Sequence, residues 1–313
     1  MRNDSLETSK FFAIISVVIA HYISSQFIII SPVLQRIGTF GVPLFLLLSG
    51  YFYNIEKYGF IKFFKNKFKT IIIPWFFTGS LVYIISKKDY KLLELVEWGE
   101  WLLGIGTYLY YLTILVLLFL LFSLKFIKNK YILMLLVTVN LISLYITNQN
   151  EYNIYSYLNI FNWIGFFSIG ILLKNKMNQL FEFIKNNRNL LLLSSVVIVL
   201  TIVISFEINY SGYFSEFSFL LEIIGILIIF TLSTYEIFNN KLIKLVAKYS
   251  FSIYLLHFLF FPIKRILPHN EVFEVVGPLL IITFCTLFIY LFDKLLSKLK
   301  IGQNIFRMLI GIR

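Results

Sequence analysis

The feature that most restricts what this chain can fold into is a repeated long apolar run. Ten such runs centre on residues 11–30, 40–55, 70–86, 107–124, 131–147, 157–173, 190–207, 217–236, 250–267 and 273–292. Each is near the ~20 residues with which a helix crosses a bilayer. Only 14% of the residues are charged, against about a quarter in a soluble domain. The expectation is an all-α, polytopic transmembrane helical bundle of about ten spanning helices, with no sizeable soluble domain. The first run is longer than a signal-peptide core and no small-residue cleavage site follows it, so it reads as a retained helix.

Orientation follows from the basic residues. With the N-terminus in the cytoplasm, 22 of the 28 lysines and arginines fall on the inner side, and Arg36, Lys87, Lys88, Lys91, Lys264 and Arg265 fall outside. That asymmetry is the positive-inside pattern and places both termini in the cytoplasm. The net charge of +12 therefore belongs to membrane orientation and membrane lipids; no basic stretch with interleaved aromatics calls for nucleic acid. The single cysteine, Cys285, lies in an apolar run with no partner for a disulfide or a metal site. The stretch 87–106 carries apolar and tryptophan residues at helical spacing and is expected to lie as a helix in the outer interface.

The chemistry concentrates in "KFFAIISVVIAH", where Lys10 and His21 are eleven positions apart. At about 100° per residue the two share one helix face, separated by roughly 16 Å. Glu7, three residues before Lys10, can pair with it. An imidazole at mid-membrane is costly and faces a cavity or a polar partner. Two readings stand: an interhelical hydrogen bond that locks packing, or acid–base work by a ring that titrates near neutrality. Lys10 on its own is an ordinary orientation signal.

Four further stretches accompany this pair in order: "FGVPLFLLLSGYFY" (40–53), "FKNKFKTIIIPW" (64–75), "YLYYL" (108–112) and "YSFSIYLLH" (249–257). Together with the basic residue, ten residues, then histidine, they resemble the acyltransferase-3 family of integral membrane acyltransferases from Glu7 to about Pro262. The resemblance implies a single integral membrane acyltransferase domain over 1–313 that moves an acyl group, usually acetyl, from cytoplasmic acyl-CoA to a hydroxyl of a surface polysaccharide, its lipid-linked precursor or another envelope glycan. Polysaccharide biosynthesis proteins would be its partners, and acetyl-CoA would be a substrate, with no bound cofactor and no metal. It implies that His21 is catalytic, deprotonating the acceptor or relaying the acyl group. Lys10, Lys62, Lys65, Lys67 and Lys69 would form the cationic field for CoA. Glu7, Ser49, Tyr110, Tyr111 and His257 would support the site or the acceptor side. The family's basic loop often carries arginines three apart, where this chain has only lysines, with Thr70 at a position that is often basic; lysine meets phosphate as a point charge, without a bidentate fork. Some members carry an extracytoplasmic hydrolase-like domain. None is encoded here, so transfer is expected to finish on the membrane domain or with a separate partner. Isoleucine, lysine, asparagine and phenylalanine usage fits an AT-rich bacterial genome, hence a multi-pass protein of the bacterial cytoplasmic membrane.

Other polar residues read more plainly. Gly50 permits close helix packing. Ser250 and His257 share a face two turns apart, and an interhelical bond accounts for His257 as well as a functional role does. His269 sits in a short outer loop. Glu207 and Asp293 fall at segment ends, and Glu222 lies deeper with no motif partner. The rival to an enzyme is a transporter or flippase of lipid-linked sugars or exopolysaccharide, which would also use an intramembrane histidine and basic inner loops. A third reading is a structural partner in an envelope assembly.

Overall fold

The computed structural model describes residues 4–23, 27, 30–87, 94–150, 153–205, 213–214 and 217–312; Lys88, Lys91 and Glu207 lie outside them. Every regular element among these residues is helical. The chain runs through α1 (Asp4–Tyr22), α2 (Ile30–Gly38), α3 (Gly41–Tyr51), α4 (Ile55–Tyr58), α5 (Phe60–Lys67), α6 (Ile73–Ser86), α7 (Leu95–Leu103) and α8 (Tyr110–Leu121). It continues through α9 (Lys130–Gln149), α10 (Ile164–Leu172), α11 (Met177–Ser205), α12 (Ser218–Leu232), α13 (Lys241–Phe260), α14 (Glu271–Leu296) and α15 (Lys300–Ile310).

Among the described residues, six stretches are long and apolar enough to cross a membrane: Ile30–Tyr51, Phe60–Ser86, Lys130–Gln149, Met177–Ile202, Lys241–Arg265 and Glu271–Leu296. Tyr110–Leu121 and Ser218–Leu232 are apolar but shorter. Large apolar side chains such as Leu135, Leu193, Phe284 and Leu291 stand exposed on the outside of the bundle, which a water-facing surface would not sustain at this density. The protein is a multi-pass membrane protein.

Two boundaries differ from the sequence expectation. The apolar run read as 11–30 is helical only to Tyr22, and a separate helix starts at Ile30. Pro32, in the first turn of α2, explains the restart, because proline is favoured where helical N–H groups have no acceptor. The shift carries Arg36 off an outer loop and into α2, where it is fully buried. Second, "FKNKFKTIIIPW" is not a loop. It forms α5, a π-helical turn over Phe68–Ile72, and the start of α6. Pro74 has no N–H to donate, and the ladder widens just before it: the Ile73 N–H bonds to the Phe68 carbonyl, five residues back.

α1 is the central post. It packs most extensively on α13, and also on α2, α3, α12 and α14. Its buried face includes Ala13, Ile14, Val17 and Val18, and Ser16 Oγ donates to the Gly38 carbonyl at 3.1 Å. Behind it, α3 and α10 cross with their backbones in contact. A Cβ on Gly50 would lie 2.1 Å from the Phe167 carbonyl oxygen, and one on Gly170 2.0 Å from that of Leu47. Only glycine admits this approach, which is the packing role expected for Gly50.

α7 is the helix anticipated in 87–106, and it lies on α6. Trp101 Nε1 donates to the Gly79 carbonyl at 3.1 Å, and Trp98 Nε1 to Ser80 Oγ at 3.0 Å. Lys87 donates to Glu97 beside it, which raises the ammonium and lowers the carboxyl from their ordinary pKa values. α15 is amphipathic. It is clamped to α14 by Arg307, whose Nε and Nη2 donate to Asp293 Oδ1 and Oδ2 at 2.7 and 2.9 Å. Cys285 is fully buried in the core.

Candidate active site: two cavities on either side of a tyrosine septum

α1 carries Lys10 near one end and His21 at the other, and they open into different cavities. The first, about 440 Å³, is lined by Lys10, Lys67 and Lys248 with Glu7, Ser49 and Tyr111. It adjoins a second basic hollow of about 430 Å³ lined by Lys62, Lys65, Lys67 and Lys69, with Phe52 and Lys67 common to both. All five lysines singled out in the sequence thus gather at one end of the bundle. They are not equivalent. Lys67 is half-buried, with its ammonium 4.6 Å from the Phe119 ring centroid and 5.2 Å from that of Phe63. Lys10 lies over Phe52 at 5.3 Å. Lys62, Lys65 and Lys69 are exposed.

The other cavity, about 530 Å³, is lined by His21, Gln35, Thr39 and Thr107 and by rings that include Trp101 and Tyr110. Among the described residues, no lysine, arginine or carboxylate lines it. Tyr110 and Tyr111 part company here, one to each cavity, because consecutive helical residues point about 100° apart.

Among the described residues, none lines both cavities. Tyr254 faces the basic cavity and Tyr108 the aromatic one, and the two rings meet at 5.7 Å. Each hydroxyl donates to the other's strand of chain: Tyr108 to the Leu255 carbonyl at 2.9 Å, and Tyr254 to the Tyr108 carbonyl. These crossed bonds tie the two rings into a septum between the cavities. His257 is fully buried within it, its ring 5.1 Å from Tyr108 and 5.4 Å from His21. Phe258 stacks on Tyr108 at 4.3 Å and packs against His21 at 5.3 Å. α13 therefore repeats the layout of α1, with Lys248 and Ser250 on the basic cavity and His257 beside His21.

Several of these residues escaped the sequence reading. Lys248 was counted only as an orientation charge of a loop, but α13 begins at Lys241 and carries it into the cavity wall. Its position two residues before Ser250, at the edge of a quoted motif, was the available signal. Tyr108 and Tyr254 lie inside "YLYYL" and "YSFSIYLLH", where spacing does not set them apart from the neighbouring tyrosines. Arg36 stands within electrostatic reach of the buried Glu222 carboxylate on α12. Asp293 serves the α15 clamp.

A helical membrane bundle thus sets a histidine-bearing cavity against a lysine-rich one, a proton-handling ring on one side and a positive field on the other. The family model described as an acyltransferase domain matches residues 3–293, and the chain belongs to the acyltransferase-3 family of membrane acyltransferases. No curated protein and no solved structure matches it.

Proposed function

We propose that the protein is an O-acyltransferase of the bacterial cytoplasmic membrane. It takes an acyl group, acetyl in the simplest case, from cytoplasmic acyl-CoA and delivers it to a hydroxyl of an envelope polysaccharide or its lipid-linked precursor. The observation that carries this reading is the pair of unlike cavities back to back. Three ammonium groups around one cavity, and more at its mouth, suit the phosphates of CoA. Aromatic faces with amide and hydroxyl groups around the other suit a neutral polyol, whose C–H faces stack and whose hydroxyls hydrogen-bond. With the lysine end in the cytoplasm, donor and acceptor approach from opposite sides, about ten helical segments making the spanning bundle.

In the direct version of transfer, the acceptor oxygen attacks the thioester carbonyl. The C–O bond forms, the C–S bond breaks, the hydroxyl proton passes to His21, and that proton then goes to the departing CoA sulfur. In the relay version His21 carries the acyl group between the two. Both require the thioester to meet His21 at the septum, so the Tyr108–Tyr254 contact has to yield while the acyl group passes.

The test is mass analysis of surface glycans from cells with and without the protein, together with saturable binding of radiolabelled acetyl-CoA by the purified protein. The expected result is loss of one ester of defined mass and binding in the micromolar range. Unchanged ester content with no acetyl-CoA binding would instead favour a flippase.

A further inference from the structure

His257 is a fully buried imidazole whose bonding in the structure is incomplete. Its Nδ1 lies 2.7 Å from the Tyr254 carbonyl oxygen. That oxygen can only accept, so Nδ1 carries the proton, and in the neutral ring Nε2 is a bare lone pair. Nε2 has no hydrogen-bond partner among the described residues. Buried polar atoms left in this state are rare and call for an explanation. A packing role does not supply one. The bond His257 makes is to its own helix, three residues back, so its imidazole forms no interhelical bond.

The groups around it narrow what Nε2 can receive. From α1 comes His21, from the residues preceding α8 comes Tyr108, and from its own chain segment come Tyr254, Phe258 and Phe261. The Tyr108 hydroxyl is already given to Leu255 and the Tyr254 hydroxyl to Tyr108. The phenylalanines have nothing to give. Of the rings around it, the one that can still donate an N–H is His21. The two imidazole centroids are 5.4 Å apart and their planes 36° apart. A linear N–H···N bond of about 3 Å between imidazoles meeting edge to edge puts their centroids about 5.3 Å apart, so the separation already suits it. A small turn of the His21 side chain aligns the nitrogens, in keeping with catalytic hydrogen bonds that become well aligned only when substrate is bound.

We infer that His257 is the positioning residue of His21: its Nε2 accepts the N–H of one His21 nitrogen and so presents the other, unprotonated, to the acceptor hydroxyl in the aromatic cavity. This role presupposes the reading of His21 as the acid–base group of acyl transfer. When the hydroxyl proton moves to the free nitrogen, His21 becomes an imidazolium whose second N–H is held by the His257 lone pair. As the C–S bond breaks, the proton leaves for the sulfur. His257 keeps its own Nδ1 proton throughout.

The experiment compares His257→Asn, His257→Gln and His21→Ala in native membranes, with thiol release from acetyl-CoA as the rate and membranes lacking the protein as blank. Asparagine keeps an N–H near the Nδ1 position and removes Nε2; the longer glutamine amide restores a polar acceptor at that reach. The expected result for His257→Asn is a kcat about 10²-fold lower, a KM for acetyl-CoA within about twofold, and a pH–rate limb moved by about one unit. His257→Gln should run at least about tenfold faster than His257→Asn, and the His21→Ala/His257→Asn double variant no slower than His21→Ala alone. A full rate and an unmoved pH limb in His257→Asn, with His21→Ala inactive, would overturn the positioning role and leave the function intact. Equal loss in the asparagine and glutamine variants, accompanied by a lowered thermal midpoint, would also overturn it, as a packing role. Full activity in His21→Ala would bring down the acid–base reading of His21 itself.

Discussion

The basic and aromatic cavities share three helices and differ in almost everything else. α1, α8 and α13 each contribute to both: Lys10 and His21 from the first, Tyr111 and Tyr110 from the second, Lys248 and Phe258 from the third. One cavity is a field of ammonium groups with a single carboxylate, Glu7. The other is neutral, with aromatic walls. A helix that changes character along its length can serve two solutes only if something stops them from mixing, and the Tyr108–Tyr254 crossing stands at that point. On the proposed function, the contrast means that charge captures the donor at one end, while shape and hydrogen bonding select the acceptor at the other. If so, damage at one end should leave the other end's measurements alone.

The sharpest way to break this division is at His21. His21→Ala should lower acyl transfer by at least about 10³-fold, within the range general acid–base groups supply. Affinity for acetyl-CoA, read by equilibrium binding, should stay within about twofold, because the lysines are untouched. Loss of binding in step with loss of rate would mean that the two cavities are not separate functional units.

The converse damage is at Lys10 and Lys67. Removing one charged partner of a phosphate contact costs about 1.5–3 kcal/mol, so each alanine variant should raise the KM for acetyl-CoA about tenfold or more while kcat holds. Lys67 should suffer the larger change, since it is half-buried against Phe63 and Phe119 and is the one lysine common to both basic hollows. A fall in kcat at saturating donor would move these lysines from capture to chemistry.

What could be read in the sequence, and what could not, follows the same division. The helical class, the membrane setting and the convergence of Lys10 with the 62–69 lysines were legible, because run length and charge placement are one-dimensional properties. The Lys10–His21 seam was legible as an angle: both residues do lie on the side of α1 that faces the site. The separation of their cavities was not, because a helical wheel does not say what packs across it, and here α13 lays Tyr254 and His257 between them. Arg36 was misplaced by a boundary error that Pro32 could have prevented. Lys248 reads as a loop charge because it follows Lys241 and Lys244 in one basic cluster, and a cluster does not show that its last member stands two turns inside a helix, on a cavity. His257 was suspected, but its value as an acceptor depends on a bond to its own backbone that no spacing rule displays.

A milder perturbation tests the septum. Tyr254→Phe removes the hydroxyl that Tyr254 gives to the Tyr108 carbonyl while the ring stays. One lost hydrogen bond of about 1 kcal/mol should lower the thermal midpoint by about 2–4 °C. It should also raise acetyl-CoA hydrolysis in the absence of acceptor by about threefold, as water gains access to the thioester. A tighter, slower enzyme would show that the crossing assists transfer, not separation.

The smallest effects belong to Lys62, Lys65 and Lys69. They line the mouth hollow but are exposed, so their charges act through water, where the screening length is about 8 Å at physiological salt. Single alanine variants should change KM by less than about twofold under those conditions, in contrast to Lys67. Exposed charges steer encounter more than they hold the bound state, so the triple variant should lose kcat/KM mainly at low ionic strength, by about tenfold, and the deficit should shrink as salt is raised. A salt-independent loss would place a phosphate directly on one of the three and extend the donor site out of the basic cavity to its rim.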